Sequence, residues 1–287
     1  MNSDNSVVIY ADAKINLFLE VGEKRPDGYH DIDSVMQAIS LCDRVEICES
    51  ASLSLEIGKG LPEDSSNVAY KAAELFFGVT GIKGGAAVKI EKNIPVSAGL
   101  AGGSADAAAV LKGLNELYSA GLDEEQLCAI GKKIGADVPF CISGKTKKTS
   151  GVGDVLVPCP SLPECFIVVA KGGKGVSTPE AYSQIDALRA KRPREFRSSE
   201  TTVKALERGK LEEISKQLYN AFEEAILPKH RDALLIKCKL LEYGAEGALM
   251  SGSGPSVFGL FKSEKKAAEA SEALKTLDYE SFVCAPK

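Results

Sequence analysis

The chain has 287 residues, 44% of them hydrophobic and 26% charged, with a formal net charge of −5. That length serves one large domain or two modest ones, each able to bury a core, and the composition excludes long disorder. A bulk basic field for nucleic acid is also excluded, so any positive site must be local.

In chain order, Val7–Tyr10 and Ile15–Val21 read as strands, and Ser34–Glu49 and Ser52–Ile57 are β-branched and apolar enough for more. Asn67 is placed to cap a helix running through Ala69, Ala72, Ala73, Leu75 and Phe76. Ala86–Ile90 returns to strand, a glycine-rich turn follows, and an Ala/Leu helix runs from about Ser104 to Tyr118. A second helix covers Glu124–Ile134. Pro158, Pro160 and Pro163 then mark a boundary, dividing the chain into domains at 1–157 and 158–287. Beyond it, Phe166–Ala170 reads as strand, Pro179–Leu188 as helix and Arg189–Arg197 as a solvated basic loop. Helices continue to about Tyr243. The chain ends strand (Gly247–Ser251), strand (Ser256–Phe261), helix (Glu264–Leu277), strand (Ser281–Cys284). The irregular mixture predicts an α+β fold rather than a doubly wound parallel sheet.

Cys42, Cys48, Cys128, Cys141, Cys159, Cys165, Cys238 and Cys284 form no Cys-x-x-Cys pair, and His30 and His230 are the only histidines. No structural zinc set is expected. Met1–Tyr10 has no basic stretch ahead of an apolar core, and no apolar run approaches the ~18 residues of a membrane span. The expectation is a cytoplasmic protein with free thiols.

The segment Pro95-Val96-Ser97-Ala98-Gly99-Leu100-Ala101-Gly102-Gly103-Ser104-Ala105-Asp106 links a strand to a helix. Small residues let backbone N–H groups approach an anion, and the helix adds its positive end. Capping alone does not require so many glycines and alanines, so phosphate binding is expected, with Ser104 placed to meet a phosphate or a magnesium ion. Asp106 reads as a first-turn acid that suits the helix dipole. The dinucleotide fingerprint is not met at Gly99–Ser104, at Gly151-Val152-Gly153 or at Gly252-Ser253-Gly254. Gly144-Lys145-Thr146 resembles the end of a Walker A loop, but its spacing requires glycine where Pro139 stands.

Four further features carry polar groups. Alternation in Ala13–Leu19 puts Lys14 and Asn16 on one strand face. They are either a phosphate-reading pair or the wet side of a half-exposed sheet. Arg25-Pro26-Asp27-Gly28-Tyr29-His30 is a turn followed by a stacking aromatic and a histidine; alone it reads as an ordinary turn. Gly135-Ala136-Asp137-Val138-Pro139-Phe140 sets one acid among small and apolar neighbours, either a turn aspartate or an acceptor for a hydroxyl proton. Gly252, Ser253 and Gly254 lie between two strands, as a hairpin loop or as a second glycine loop against the first.

Together, in order, the polar first-strand motif at 12–19, the glycine loop at 95–106 and the late glycine motif at 251–258 resemble the galactokinase, homoserine kinase, mevalonate kinase and phosphomevalonate kinase superfamily. Gly28-Tyr29-His30, Ala13-Lys14-Ile15-Asn16-Leu17 and Gly135–Phe140 resemble its branch that phosphorylates a cytidine diphosphate-linked polyol. The resemblance implies a ribosomal-protein-like N-terminal domain and a ferredoxin-like C-terminal domain, with the active site between them. It implies ATP and Mg2+, with Pro95, Ala98, Gly99, Leu100, Ala101, Gly102, Gly103, Ser104 and Ala105 around the nucleotide and Ser104 on the metal. It implies Asp137 as base, Lys14 as the charge on the transferred phosphoryl group, Asn16 orienting substrate, Tyr29 and Tyr182 stacking on cytosine, and His30 reading its edge. Ser104-Ala105 stands where the family often has two serines, and Lys147 and Lys148, read as solvated, interrupt a stretch of usually small residues. The rival readings are a homoserine- or mevalonate-type kinase and a non-catalytic metabolite sensor.

Overall fold

The structure, a computed structural model, describes residues 6–192 and 194–287. Residues 1–5, part of the leader reading at Met1–Tyr10, and residue 193, within the expected loop at 189–197, lie outside the described residues.

The first elements are strands β1 (Ser6–Lys24), β2 (His30–Ser50) and β3 (Ser54–Ile57), helix α1 (Val68–Thr80) and strand β4 (Gly85–Glu91). Helices α2 (Gly102–Leu117), α3 (Glu124–Lys132) and α4 (Val138–Ser143) follow, then strands β5 (Thr146–Ser150), β6 (Val155–Pro158) and β7 (Phe166–Lys171). Next come helices α5 (Thr178–Lys191), α6 (Glu200–Arg208) and α7 (Leu211–Ser215), strand β8 (Tyr219–Asn220) and helix α8 (Glu223–Ile226). The chain closes with α9 (Arg231–Glu242), β9 (Gly247–Met250), β10 (Val257–Phe261), α10 (Glu264–Lys275) and β11 (Glu280–Cys284).

Two compact units form, each from separate stretches. One holds the described residues up to Ala13 with Cys42–Ile94 and Ala101–Gly144; the other holds Lys14–Leu41, Pro95–Leu100 and Lys145–Lys287. Both β1 and β2 run through the two units, so each is one long strand where the sequence suggested shorter pieces. The expected boundary at 157/158 falls inside β6.

In the first unit, the outer half of β2 pairs antiparallel with β4, and β3 joins β4 in parallel. Asn67 caps α1 by accepting from Ala69 N, and Gly81 ends it in the left-handed region at φ 68°. Helix α2 packs so closely on β2 that a Cβ at Gly113 would lie 2.4 Å from Ile47 Cδ1.

In the second unit, the turn after β1 closes through Gly28 N to Arg25 O (3.0 Å), with Gly28 at φ 88°. Strand β5 pairs with the inner half of β2, and β8 pairs in parallel with β1. Lys147 and Lys148 therefore sit half-buried inside β5, not on the solvated run expected of them. Gly144 leads into this strand rather than a helix, which removes the Walker A reading. The remaining strands form an antiparallel sheet in the order β11-β7-β10-β9, each pair in register, with α9 and α10 against it. Taken along the chain as strands one to four, that order is 4-1-3-2, the ferredoxin-like arrangement. Its core gathers Val168, Ala170, Ile236, Leu240, Phe261 and Leu274. Among the described residues no helix is long and apolar enough to cross a membrane.

Candidate active site

In the second unit, Lys14 and Asn16 are almost fully buried, and so are Ile15 and Leu17 on the opposite face of the strand. The half-exposed sheet is thus excluded for these residues. Burying an ammonium is costly unless it is bonded, and Lys14 Nζ donates to Asn16 Oδ1 at 2.7 Å. The same oxygen accepts from Gly252 N at 3.0 Å, while Asn16 Nδ2 donates to Ser34 Oγ at 2.9 Å. Ser34 Oγ in turn donates to Phe18 O at 2.6 Å. Each polar atom of Asn16 is used, so its orientation is fixed and Lys14 is aimed by it.

The two glycine motifs meet here, the second of the alternatives left open for Gly252–Gly254. Ser251 Oγ donates to Gly99 O at 3.0 Å, and Ser256 N donates to Ala98 O at 3.3 Å. Gly99 has φ 75°, and a Cβ on it would lie 2.2 Å from Ser251 O. A Cβ on Gly252 would lie 2.8 Å from Gly99 O and 3.2 Å from Lys14 Nζ. Glycine is required at both positions because two backbones and a lysine converge. Asn220, which carried no sequence signal, holds the late motif from below through Nδ2 bonds to Met250 O (2.7 Å) and Gly252 O (2.8 Å). Ser253 Oγ lies 3.4 Å from Thr178 Oγ1.

Elsewhere in this unit, Tyr29 is exposed while His30 is buried. The His30 ring stacks on Tyr182 at 4.8 Å and 22°. Tyr182 meets the buried ring of Phe222 edge-on at 5.0 Å. The turn, α5 and α8 thereby bring an exposed aromatic, a histidine and a second aromatic into one unit, as the spacing alone did not reveal.

In the first unit, α2 begins at Gly102, earlier than the expected Ser104, after Ala101 at φ 58° with no side-chain cap. The uncapped amides of Gly102, Gly103 and half-buried Ser104 form a helix start open to an anion. Pro95 and Leu100 in the second unit's stretch, and Ala105 here, are buried, as is Ala98, so only their backbones remain for a nucleotide.

The early helix start also corrects Asp106. It lies past the first turn, is buried, and meets Lys92 Nζ at 2.6 Å; Lys92 also pairs with Asp43. Burial, with Asp43 nearby, pushes the Asp106 carboxyl up to about 8 although Lys92 opposes the shift. Asp43 Oδ1 accepts from Asn93 N (2.6 Å) and Ile94 N (2.8 Å), fixing the segment after β4 that leads into the loop. Sequence reasoning missed Lys92 and Asp43; a lysine just before the loop was the available signal.

Asp137 stands at the start of α4, half-buried, with no cap bond to its own helix. Among the described residues no group of three or more His, Cys, Asp or Glu could cage a metal. The oxygen donor at the helix start is the Ser104 hydroxyl. That set fits magnesium carried in on nucleotide phosphates, which usually needs one or two protein oxygens and not a closed cage.

Comparison with known proteins gives a consistent answer. The model of the GHMP kinases N terminal domain matches residues 67–145, and that of the GHMP kinases C terminal matches 202–279. The 4-diphosphocytidyl-2-C-methyl-D-erythritol kinase of Acetivibrio thermocellus is 45% identical over 97% of this chain and 98% of its own. The kinase of the same name from Exiguobacterium sibiricum is 42% identical over 97% of both. A crystal structure of 4-(cytidine 5'-diphospho)-2C-methyl-D-erythritol kinase superposes with TM-score 0.82 at 34% identity, covering 98% of this chain and 99% of that one. The Cytophaga hutchinsonii homoserine kinase (TM-score 0.75, 18% identity, 100% and 96% covered) shares the fold.

Proposed function

Because the chain belongs to the GHMP kinase family, and within it to the 4-diphosphocytidyl-2-C-methyl-D-erythritol kinases, we propose that it transfers the γ-phosphoryl group of ATP to the 2-hydroxyl of that cytidyl polyol, a step of the non-mevalonate route to isoprenoids. The observation that carries the reading is the buried Lys14–Asn16–Gly252 network set against Gly99, a cation aimed by its neighbours where two glycine loops meet.

Asp137 takes the proton from the substrate hydroxyl as its oxygen bonds to the γ-phosphorus and the bond to the ADP oxygen breaks. A loose phosphoryl-transfer transition state asks mainly for position and positive charge. Lys14 supplies charge, held in place by Asn16. The backbone amides of Gly99, Gly102, Gly103 and Ser104 hold phosphate oxygens, with Ala101, Pro95, Ala98, Leu100 and Ala105 shaping the loop. Ser104 would be the protein contact for magnesium, which would arrive with ATP and supply positive charge to its phosphates. Exposed Tyr29 stacks on the cytosine, Tyr182 is the second aromatic of the pocket, and His30 reads the base edge.

The division at 157/158 is part of this reading, supported by the two family models falling on either side of it. So is a cytoplasmic setting, which suits eight free thiols. A coupled ATP-consumption assay tests the proposal, with diphosphocytidyl methylerythritol beside homoserine and mevalonate. Turnover is expected with the cytidyl substrate alone, and Asp137→Asn should cut it by ~10²-fold or more. Binding of ATP without turnover of any substrate would overturn the activity in favour of a sensor.

A further inference from the structure

We propose that Asp186 sets the base preference of the site by fixing the tautomer of His30, an inference that rests on the reading of Tyr29, His30 and Tyr182 as a cytosine pocket. Asp186 lies on α5 one turn beyond Tyr182, so the two side chains share a face of that helix. Its Oδ1 stands 2.8 Å from His30 Nε2. The His30 ring is buried, with Tyr182 stacked on it and Phe222 edge-on behind Tyr182. A half-turn of the ring would put a carbon against the carboxylate, so the bond and the stack together fix which nitrogen faces Asp186.

The chemistry then follows from donor and acceptor counts. A carboxylate is an acceptor only, so Nε2 must carry the hydrogen, and in the neutral ring Nδ1 keeps its lone pair. A lone pair at the base-reading nitrogen accepts from an amino group and repels a carbonyl. Cytosine carries an amino group at position 4, where uracil carries an oxygen. Asp186 therefore makes a histidine that is neutral about orientation into one that selects cytosine. It acts through His30, as a positioning residue that does not touch the base.

The test uses the full chain with CDP and UDP as calorimetric probes, beside steady-state kinetics on the cytidyl substrate. Wild-type protein should prefer CDP. Asp186→Ala should reduce the CDP-to-UDP preference about tenfold, with the kinetic loss in KM more than kcat, and Asp186→Glu should restore most of it. Nitrogen-15 NMR of the histidines reads the tautomer directly; there are only two, and His230→Asn assigns them. Wild-type His30 should show a protonated Nε2 and a bare Nδ1, and the Ala variant a mixture of tautomers. A CDP preference that survives unchanged in Asp186→Ala, or a wild-type His30 protonated at Nδ1, overturns this proposal alone. Wild-type protein that binds neither probe, or both equally, overturns the cytosine pocket and this proposal with it.

Discussion

Each unit buries a cluster of unbalanced charge, and the two are built with opposite signs. In the first, Lys92 stands between two carboxylates, Asp43 and Asp106. In the second, Glu20 on β1 gathers arginines: Arg189 Nη2 at 2.5 Å and Arg194 Nη2 at 3.7 Å. Tyr219 Oη and Arg197 N also donate to Glu20 Oε2, at 3.2 and 3.1 Å. All three side chains of the Lys92 cluster are shut off from water, so its surplus negative charge is met by a proton, and Asp106 holds one up to about 8. The arginines keep about a quarter of their side chains in solvent, Arg194 reaches Glu224 as well, and Arg194 and Arg197 lie over the Tyr219 ring at 5.1 and 4.6 Å. Surplus positive charge that reaches water or an aromatic face is stabilised there, whereas the enclosed surplus at Asp106 is met by a proton.

Removing the shared ion should break the closed cluster hardest. Lys92→Met leaves two buried carboxylates without a cation and should cost about 3–5 kcal/mol near neutral pH, read by urea unfolding. The loss should deepen as pH rises past about 8, where the wild-type Asp106 carboxyl ionises beside Lys92 and the variant has no cation to stabilise that charge. Glu20→Gln leaves cations whose outer faces are already wet, and should cost less, about 1.5–3 kcal/mol. A larger loss for Glu20→Gln than for Lys92→Met would contradict the distinction drawn between the two clusters.

The same contrast explains what was legible in the sequence. Glycine positions, the first-strand Lys14 and Asn16, and the Tyr29–His30 turn are local patterns, and each falls at a constrained place in the fold. Asp106 was misread because its helix begins at Gly102, which carries it past the first turn and inward toward Lys92. The basic stretch at 189–197 was read as solvated, yet Arg189 belongs to the last turn of α5 and bonds a carboxylate 169 residues away. Asn220 and Asp186 gave no signal at all, since what defines them is a partner distant in the chain. Local chemistry was readable; pairings across long separations were not.

Titration sharpens the first cluster without dismantling it. The Asp106 carboxyl has a folded pKa of about 8 against 3.8 when free, so the folded state holds a proton that the unfolded state releases across that window. This group's stabilising contribution is therefore complete below the free value and is lost as pH rises through about 8. Asp106→Asn, a mimic of the protonated acid that can still accept from Lys92, should leave the melting temperature near that of wild type below about pH 4, where the free acid is protonated too, and raise it increasingly relative to wild type from there to about pH 9. Parallel melting curves across that range would remove protonation as the means by which the cluster balances its charge.

The smallest effect expected separates the two ways the second cluster tolerates its surplus. Tyr219→Phe removes the hydroxyl that donates to Glu20 Oε2 but keeps the ring beneath Arg194 and Arg197. Glu20 retains Arg189, Arg197 N and Val21 N as partners, so no buried acceptor is stranded. The cost should be about 0.5–1.5 kcal/mol, the value of one hydrogen bond. Tyr219→Leu removes both hydroxyl and aromatic face, and should cost about 0.5–1 kcal/mol more from the lost cation–π contact, beyond any change in packing. Raised salt should weaken that additional loss only slightly, because a guanidinium stacked on a half-buried ring is poorly screened. Equal losses in the Phe and Leu variants would mean that the ring carries no charge-stabilising role.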